Sequence, residues 1–513
     1  MAATDTSAER ASLAAGDTGP AGASRYPVWL GPTAAGLIVT LAYVQLALRN
    51  WANFAVNAYD TGIMSQVVAS YARFQVPHST IKGYPNILAD HFSPILATWA
   101  PLWWIWPDPR VLLLAQAALL GLGAAGIYVV ARRSLSSALV LVSVALFATW
   151  RGTQSGGGFD VHEVVFFVPL TIWAVERGLA GKWRTAWLLA ACMLLVREDG
   201  GLMLTSFALW AFTRGRRKDA LLGLVAGVGA TLAIAALLKH LDSRLGFPGY
   251  FPLQNLGPTP LAALQHIVTH PGETLRSLYL PSVKFETIVG TLRPYLYLPL
   301  LSPMVIMFIP QLLLRLLGGR DVLWTLSFHY SLPIAGVLTL AYIDGVQRIN
   351  RWLEKGKTAA VAIRRKQIFE VILVVAATVT IVFNLTGGQL VSGTPSNMLP
   401  EYHASCRAAI AGVPNGARVA ASNSTAAYLV ARAHVRLWRG GAQPGEYVLV
   451  GPPGENGHLG QHYTFAVKRI TALAVPVTTG PGCRLFHYTG STALPELITI
   501  AQIQPDPTGK TSG

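Results

Sequence analysis

Uncharged stretches of about twenty residues recur through this sequence, and its basic residues crowd into the short connectors between them. The clearest case is the connector holding Arg348, Arg351, Lys355, Lys357, Arg364, Arg365 and Lys366, which is followed by an apolar run over residues 367–386. As a helix such a run rises ~1.5 Å per residue and crosses a hydrocarbon core ~30 Å thick. In lipid it must also satisfy its own backbone polar groups, which a helix does within one segment. Composition agrees: 12% of the 513 residues are charged and 52% are hydrophobic, against ~25% charged in soluble domains. The net charge of +16 is therefore read as cytoplasmic Lys and Arg that set topology, and nucleic-acid binding is excluded.

Residues 1–26 are polar and rich in Gly, Ala and Ser, and are expected to form a disordered cytoplasmic tail without a removable signal peptide. A membrane domain over residues 27–386 follows. Its first span, about 28–48, leads into a long extracytoplasmic loop, 49–109. That loop ends in His91–Trp106, an apolar piece with Trp103, Trp104 and Trp106 at its end. If the piece crossed the bilayer, Arg132 and Arg133 would fall outside, so it is expected to dip in and return. The remaining spans are expected near 110–130, 134–150, 164–176, 185–197, 200–213, 220–238, two arms of 282–316 divided at Ser302-Pro303, 330–346 and 367–386. Segments 185–197 and 200–213 form a hairpin, since one long helix would put two basic loops on opposite faces. The expected fold is an all-α polytopic protein of the plasma (inner) membrane with about eleven transmembrane helices. Residues 387–513 would form a small extracytoplasmic α/β domain with β-type runs at Ala417–Ala420, Tyr447–Val450 and Tyr463–Val467. Cys406 and Cys483 both fall in it and could pair in an oxidising compartment; Cys192 lies in a span.

With this topology the acidic and histidine clusters fall on the outer face. Asp60, in Tyr-Asp-Thr-Gly-Ile-Met-Ser-Gln, is either a general base for a hydroxyl acceptor or a helix N-cap. Asp90 and His91 offer a second carboxylate or a metal ligand, or a cap for the segment that follows. Asp160, His162 and Glu163 either ligate a divalent ion or substrate, or cap the next span. Arg197, Glu198 and Asp199 sit at the hairpin tip, as substrate contacts or as a self-neutralised knot. His329 and Tyr330 precede another span, where a lone histidine is more often a packing residue. Lys284 and Arg293 either meet a lipid phosphate or snorkel at the interface. Asp60, Asp90 and His162 are the candidate ligands for magnesium or manganese.

The order of Tyr59–Gln66, Asp90–Arg133, Phe159–Gly178, Leu194–Leu204 and Phe328–Gly345 resembles a bacterial family of predicted polytopic membrane proteins of unknown function. That family in turn looks like a relative of the GT-C glycosyltransferases, which include protein mannosyltransferases and aminoarabinose transferases. The resemblance implies an essential Asp in the first extracytoplasmic loop, matched by Asp60. It also implies membrane-parallel helices after that residue and a polyprenyl-phosphate sugar donor. The chain lacks the Asp-Glu or Asp-x-Asp pair of some branches, which leaves Asp90 as an alternative base and metal use open. The expected activity is inverting transfer of a sugar from polyprenyl phosphate to a glycan, lipid or protein acceptor of the cell envelope. The alternatives are a transporter or lipid flippase, which would favour midplane ionisable residues and inverted repeats, and a non-catalytic envelope-assembly protein.

Overall fold

The structure is a computed structural model that describes residues 27, 29–245, 252–355, 358–396, 398–452, 455 and 457–499. The tail expected over residues 1–26, Lys357 of the basic connector and the end of the expected C-terminal domain, 500–513, lie outside the described residues. The first span is the helix Leu30–Ala52, which packs along Pro109–Ala131. Glycines set the spacing of that pair: a Cβ on Gly121 would lie 2.5 Å from the Gly36 carbonyl oxygen. Small residues give the close backbone approach that helices in lipid rely on, where burial of apolar surface gives little drive. Helices Ser137–Thr149, Phe167–Leu179 and Leu332–Glu354 complete the core, in which Tyr43, Phe147, Phe167 and Tyr342 are wholly buried.

Four described helices are long and apolar enough to cross a membrane: Leu30–Ala52, Pro109–Ala131, Arg217–Leu241 and Ala359–Ser392. Ser137–Thr149, Trp183–Leu195, Gly200–Thr213 and Val305–Leu317 are apolar but shorter. The expected hairpin is present. Trp183 lies against Trp210 (5.8 Å between ring centroids) and Trp187 against Phe207 (5.1 Å), a pairing that only an antiparallel turn gives. The first arm of 282–316 differs from a straight span. It is an 11-residue helix, Ser282–Leu292, followed by 3₁₀ turns around Pro294 and Pro299, and Leu296 and Tyr297 both take left-handed backbone angles. Proline withholds a donor and left-handed residues cannot continue a right-handed helix. The His91–Trp106 segment forms a 3₁₀ turn, Pro94–Trp99, and a six-residue helix, Ala100–Ile105. It folds back so that Trp104 Nε1 donates to the Ala72 carbonyl at 2.8 Å, and neither piece is long enough to cross.

The C-terminal segment carries a five-stranded sheet ordered β2-β1-β3-β5-β4. The strands are β1 Arg418–Ala421, β2 His434–Leu437, β3 Glu446–Val450, β4 Val475–Thr478 and β5 Arg484–Tyr488. β1 pairs in parallel with β2 and β3, while β5 runs antiparallel to β3 and β4. The first two expected β-type runs coincide with β1 and β3. The third does not: Tyr463–Val467 opens the helix Tyr463–Leu473. Tyr463, Ala466 and Ile470 are buried there at spacings of three and four, a helical stripe that extends past the five-residue run. Cys406 and Cys483 are joined as a disulfide, tying helix His403–Ala411 to the approach of β5. The sheet region docks on the first loop: Tyr428 donates to the Trp51 carbonyl at 3.0 Å, and Tyr59 N to Asn423 Oδ1 at 2.9 Å.

Candidate functional site

Five residues after the first span the chain makes a π-helical turn, Ala58–Gly62, in which Gly62 N donates to the Asn57 carbonyl at 3.3 Å. Such turns are rare and gather at functional sites. The turn is held from inside the protein by Asp160, which is only 1% exposed. Asp160 Oδ1 accepts from Asn57 N (2.8 Å) and Thr61 Oγ1 (2.7 Å), and Oδ2 accepts from Asn57 Nδ2 (3.1 Å). Burial, and then the nearby charge of Asp60, push the Asp160 carboxyl up to about 7 against those hydrogen bonds. Asp160 is thus committed to shaping the turn.

The turn presents Asp60. The helix that follows, Ile63–Ala72, begins at Gly62 without a side-chain cap, so Asp60 is not an N-cap. Its side chain is 28% exposed, and Oδ1 lies 3.3 Å from His162 Nε2. His162 is buried, with Nδ1 3.8 Å from Glu163 Oε2. Burial alone would drive the imidazole neutral, but the carboxylates of Asp60 and Glu163 outweigh it and raise His162 to about 9. Burial likewise opposes ionisation of Glu163, yet His162 and Arg197 hold it down at about 2. Arg197 Nη1 lies 3.9 Å from Glu163 Oε1 and forms a bidentate pair with Asp199 (3.0 and 2.5 Å). The result is a chain of alternating sign, Asp60–His162–Glu163–Arg197–Asp199, buried at His162 and Glu163 and partly exposed at both ends. His329 stacks on His162 with ring centroids 3.4 Å apart, and Tyr330 lies 4.1 Å from His329. Burial and the positive charges of His162 and Arg197 hold His329 well below its usual value. Among the described residues its buried Nδ1 has no hydrogen-bond partner, so it is not the satisfied packing histidine that its position suggests.

Asp90 and His91 form a second group on the same loop. Asp90 Oδ2 pairs with Lys82 Nζ at 3.1 Å. Burial would raise its carboxyl, but Lys82 and His91 bring it below the ordinary carboxylate value. His91 Nδ1 meets Glu198 Oε1 at 2.9 Å, and Glu198 Oε2 accepts from Phe92 N at 3.3 Å. Burial would lower His91, yet Glu198 and Asp90 raise it to about 9. Asp90 caps no following helix; the 3₁₀ turn that begins at Pro94 has Ser93 at its N-cap. The tip residues Arg197, Glu198 and Asp199 therefore brace both groups, with Arg197 toward Glu163 and Glu198 toward His91.

Lys284 and Arg293 lie elsewhere. Lys284 Nζ donates to the Ser277 carbonyl at 2.7 Å and sits over the Trp324 ring, and Arg293 lies over Phe383. The candidate ligands Asp60, Asp90 and His162 do not converge either, because Asp90 is taken by Lys82. Among the described residues no three His, Cys, Asp or Glu side chains form a metal-binding group. Several working residues escape a reading of the sequence. Asn57 and Thr61 carry no charge to mark them. Lys82 is detectable, being one of only two Lys or Arg in the Asn50–Pro94 loop. Arg315, buried and bonded to Ser331 and the Leu323 and Thr325 carbonyls, stands out as a cation inside an apolar run. Two clefts, one lined by Arg73 and Arg418 and one by Trp51 and Tyr428, are not lined by Asp60 or His162.

Residues 50–450 match the family described as "Predicted membrane protein (DUF2079)". The chain belongs to that family of membrane proteins. No curated protein matches its sequence. Among solved structures the chain is similar to ArnT from Cupriavidus metallidurans bound to undecaprenyl phosphate, at 12% identity and a TM-score of 0.45, over 90% of this chain and 100% of that one. It is also similar to the Archaeoglobus fulgidus oligosaccharyltransferase in complex with Zn and sulfate, at 12% identity and a TM-score of 0.44, over 84% of this chain and 69% of that one. Likenesses this remote assign no activity.

Proposed function

We propose that this DUF2079 protein is a GT-C-like membrane glycosyltransferase that moves a sugar from a polyprenyl phosphate to a hydroxyl of an extracytoplasmic cell-envelope acceptor, with inversion. The observation that carries the reading is the Asp60 turn: a partly exposed carboxylate on a π-helical turn, 3.3 Å from a buried histidine. A transferase of this kind needs one reachable proton acceptor at a fixed position, with positive charge nearby for the phosphate that departs. In the reaction the acceptor O–H proton passes to the Asp60 carboxylate. The freed oxygen bonds to the anomeric carbon, and the bond from that carbon to the phosphate oxygen breaks, its electron pair leaving on the lipid phosphate. His162, charged at neutral pH, is the cation beside Asp60 and the one that would face the departing phosphate; Arg197 is taken by Asp199. Asp90, neutralised by Lys82, is the weaker candidate for the base.

Magnesium or manganese fits these residues poorly. Both favour oxygen ligands, whereas the neighbour of Asp60 is an imidazole and Asp90 is taken by Lys82, so no step is routed through a metal. The disulfide between Cys406 and Cys483 supports an extracytoplasmic C-terminal segment, since such bonds are rare in the cytosol. The test is mass spectrometry of envelope glycans from a deletion strain complemented with the wild type or with Asp60→Asn. The expected result is loss of one glycan modification on deletion, restored by the wild type and not by Asp60→Asn at equal protein level. Full restoration by Asp60→Asn would remove the reading.

A further inference from the structure

A cleft of about 940 Å³ opens between the first loop and the edge of the C-terminal sheet. Five arginines line it: Arg73 from the loop, and Arg418, Arg432, Arg436 and Arg439 from the sheet side. Their charge is only partly balanced. Arg436 is shared between Glu446 and Glu496, and Arg439 pairs with Glu496. Arg418 and Arg432 bond to neutral oxygens, the carbonyls of Pro444, Val413 and Ile410 and the Asn415 side chain. Among the described residues Arg73 has no acceptor at all, and both it and Arg418 are exposed. Five guanidiniums against the two carboxylates of Glu446 and Glu496 leave an excess of three positive charges. The wall between them is mixed, with Gln66 and Thr80 on the loop side beside apolar residues such as Ala69, Pro85 and Val430.

The cleft and the proposed base are linked along the chain. Gln66, which lines it and donates to the Val435 carbonyl of β2 at 3.0 Å, follows Asp60 by six residues on one helical segment. At ~1.5 Å per residue that is ~9 Å, about one or two sugar rings. Guanidiniums with unused donors select phosphate and carboxylate groups by forked hydrogen bonds.

We propose that this cleft holds the acceptor, and that the acceptor is an anionic glycan whose phosphate or carboxylate groups are gripped by Arg73 and Arg418 while its terminal hydroxyl reaches Asp60. The assignment of the bound chain as acceptor rests on the transferase reading; the binding of an anionic glycan does not.

The experiment measures binding of two fluorescently labelled probes to the full-length protein in nanodiscs. One is oligogalacturonate, carrying carboxylates, and the other a poly(glycerol phosphate) oligomer; neutral dextran is the control. The expected result is binding of at least one charged probe, absent for dextran and weakened by salt, since exposed charge pairs are screened within ~10 Å at 0.1 M. The probe that binds more tightly identifies the anionic group. Arg73→Gln combined with Arg418→Gln should weaken that probe roughly tenfold or more, and Arg73→Lys with Arg418→Lys should lose less. Both positions are on the surface, and near-ultraviolet circular dichroism verifies the fold; should the pair disturb it, each single Gln variant is read instead. Equal binding of dextran, no binding of either charged probe, or unchanged affinity in the folded Gln variants would overturn the proposal. If the Gln variants lose the probe while Asp60→Asn keeps full transfer in cells, the cleft stands and the transferase reading fails; the opposite pattern removes the cleft alone.

Discussion

Asp60 and Asp90 belong to one loop, stand thirty residues apart and have the same chemistry, yet the structure gives them opposite neighbours. Asp90 is 18% exposed and clamped by Lys82, itself 13% exposed, at 3.1 Å. Asp60 has no lysine or arginine partner among the described residues; its neighbour is an imidazole that is charged only because two carboxylates flank it. A carboxylate paired with a lysine has its proton affinity lowered and is the poorer proton acceptor. A carboxylate beside a buried histidine, on a turn held by Asp160, keeps an oxygen free for a third party. The lesson is that the partner of a carboxylate, more than its place in the loop, decides what it can do.

The largest expected effect tests that contrast directly. Asp60→Asn should lower transfer by ~10²–10⁴-fold, the usual contribution of a positioned general base, while Asp90→Asn should cost under ~10-fold. Envelope glycan analysis at matched expression measures both. If Asp90→Asn proved the more damaging, the two residues would exchange roles.

Stability should show the reverse order. Removing one member of a largely buried pair strands the other, at ~3–5 kcal/mol for full burial and toward the lower end here because both groups keep some solvent contact. Lys82→Met and Asp90→Leu should each lower the melting temperature in detergent. The double variant should recover most of the loss, since it leaves no unpaired charge. Asp60→Asn should lose part of the stability that charged His162 contributes, since Asp60 is its leading partner, but less than either the Lys82 or the Asp90 variant. Additive losses in the double variant would mean that Lys82 and Asp90 act independently.

The contrast also explains what the sequence discloses. Helices Leu30–Ala52, Pro109–Ala131 and Ala359–Thr386 are legible because length and hydropathy are local properties, and the aromatic hairpin Trp183–Thr213 follows from where the arginines fall. The broken arm after Leu292 is less legible. Its apolar composition suits a span, and the left-handed pair Leu296-Tyr297 has no compositional signature. Tyr463–Val467 misleads because five residues cannot distinguish a β-type run from one face of a longer helix. At the site, sequence alone brings out the charged residues but not their pairings. Asn57 and Thr61 meet Asp160 across about a hundred residues of chain, and His91 finds Glu198 across 107. Those meetings depend on how the helices pack, which no local pattern encodes.

The next expected effect is a pH dependence. His162 is raised from 6.5 to about 9, so the folded state binds its proton more tightly than the unfolded state does. The stability this contributes is complete below about pH 6.5 and is lost as pH rises through about 9, on the order of 3 kcal/mol in all. His91 is shifted in the same direction, but its side chain is 35% exposed, so solvent screens its partners and its share is smaller. Melting temperatures measured from pH 6 to pH 9.5 should fall for the wild type and flatten markedly for His162→Gln, less so for His91→Gln. An equal slope in wild type and His162→Gln would show that His162 is not charged in the folded protein.

The smallest effect on stability concerns the contact that ties the Asp60 turn to the sheet region. Asn423 Oδ1 accepts from Tyr59 N at 2.9 Å, and its Nδ2 donates to Asn57 Oδ1 at 3.3 Å. One side chain thus holds the residue just before Asp60 and the start of the same turn. Asn423→Ala removes two partly exposed hydrogen bonds, worth ~0.5–1.5 kcal/mol each at most, so the melting temperature should move only slightly. Transfer should fall disproportionately, by ~10-fold, because a small displacement of a base from its acceptor costs far more in rate than in stability. Asn423→Asp keeps the acceptor for Tyr59 N and should recover part of the activity. If Asn423→Ala lowered stability and transfer in proportion, the contact would be ordinary packing. The position of Asp60 would then depend on Asp160 from below, without help from the sheet.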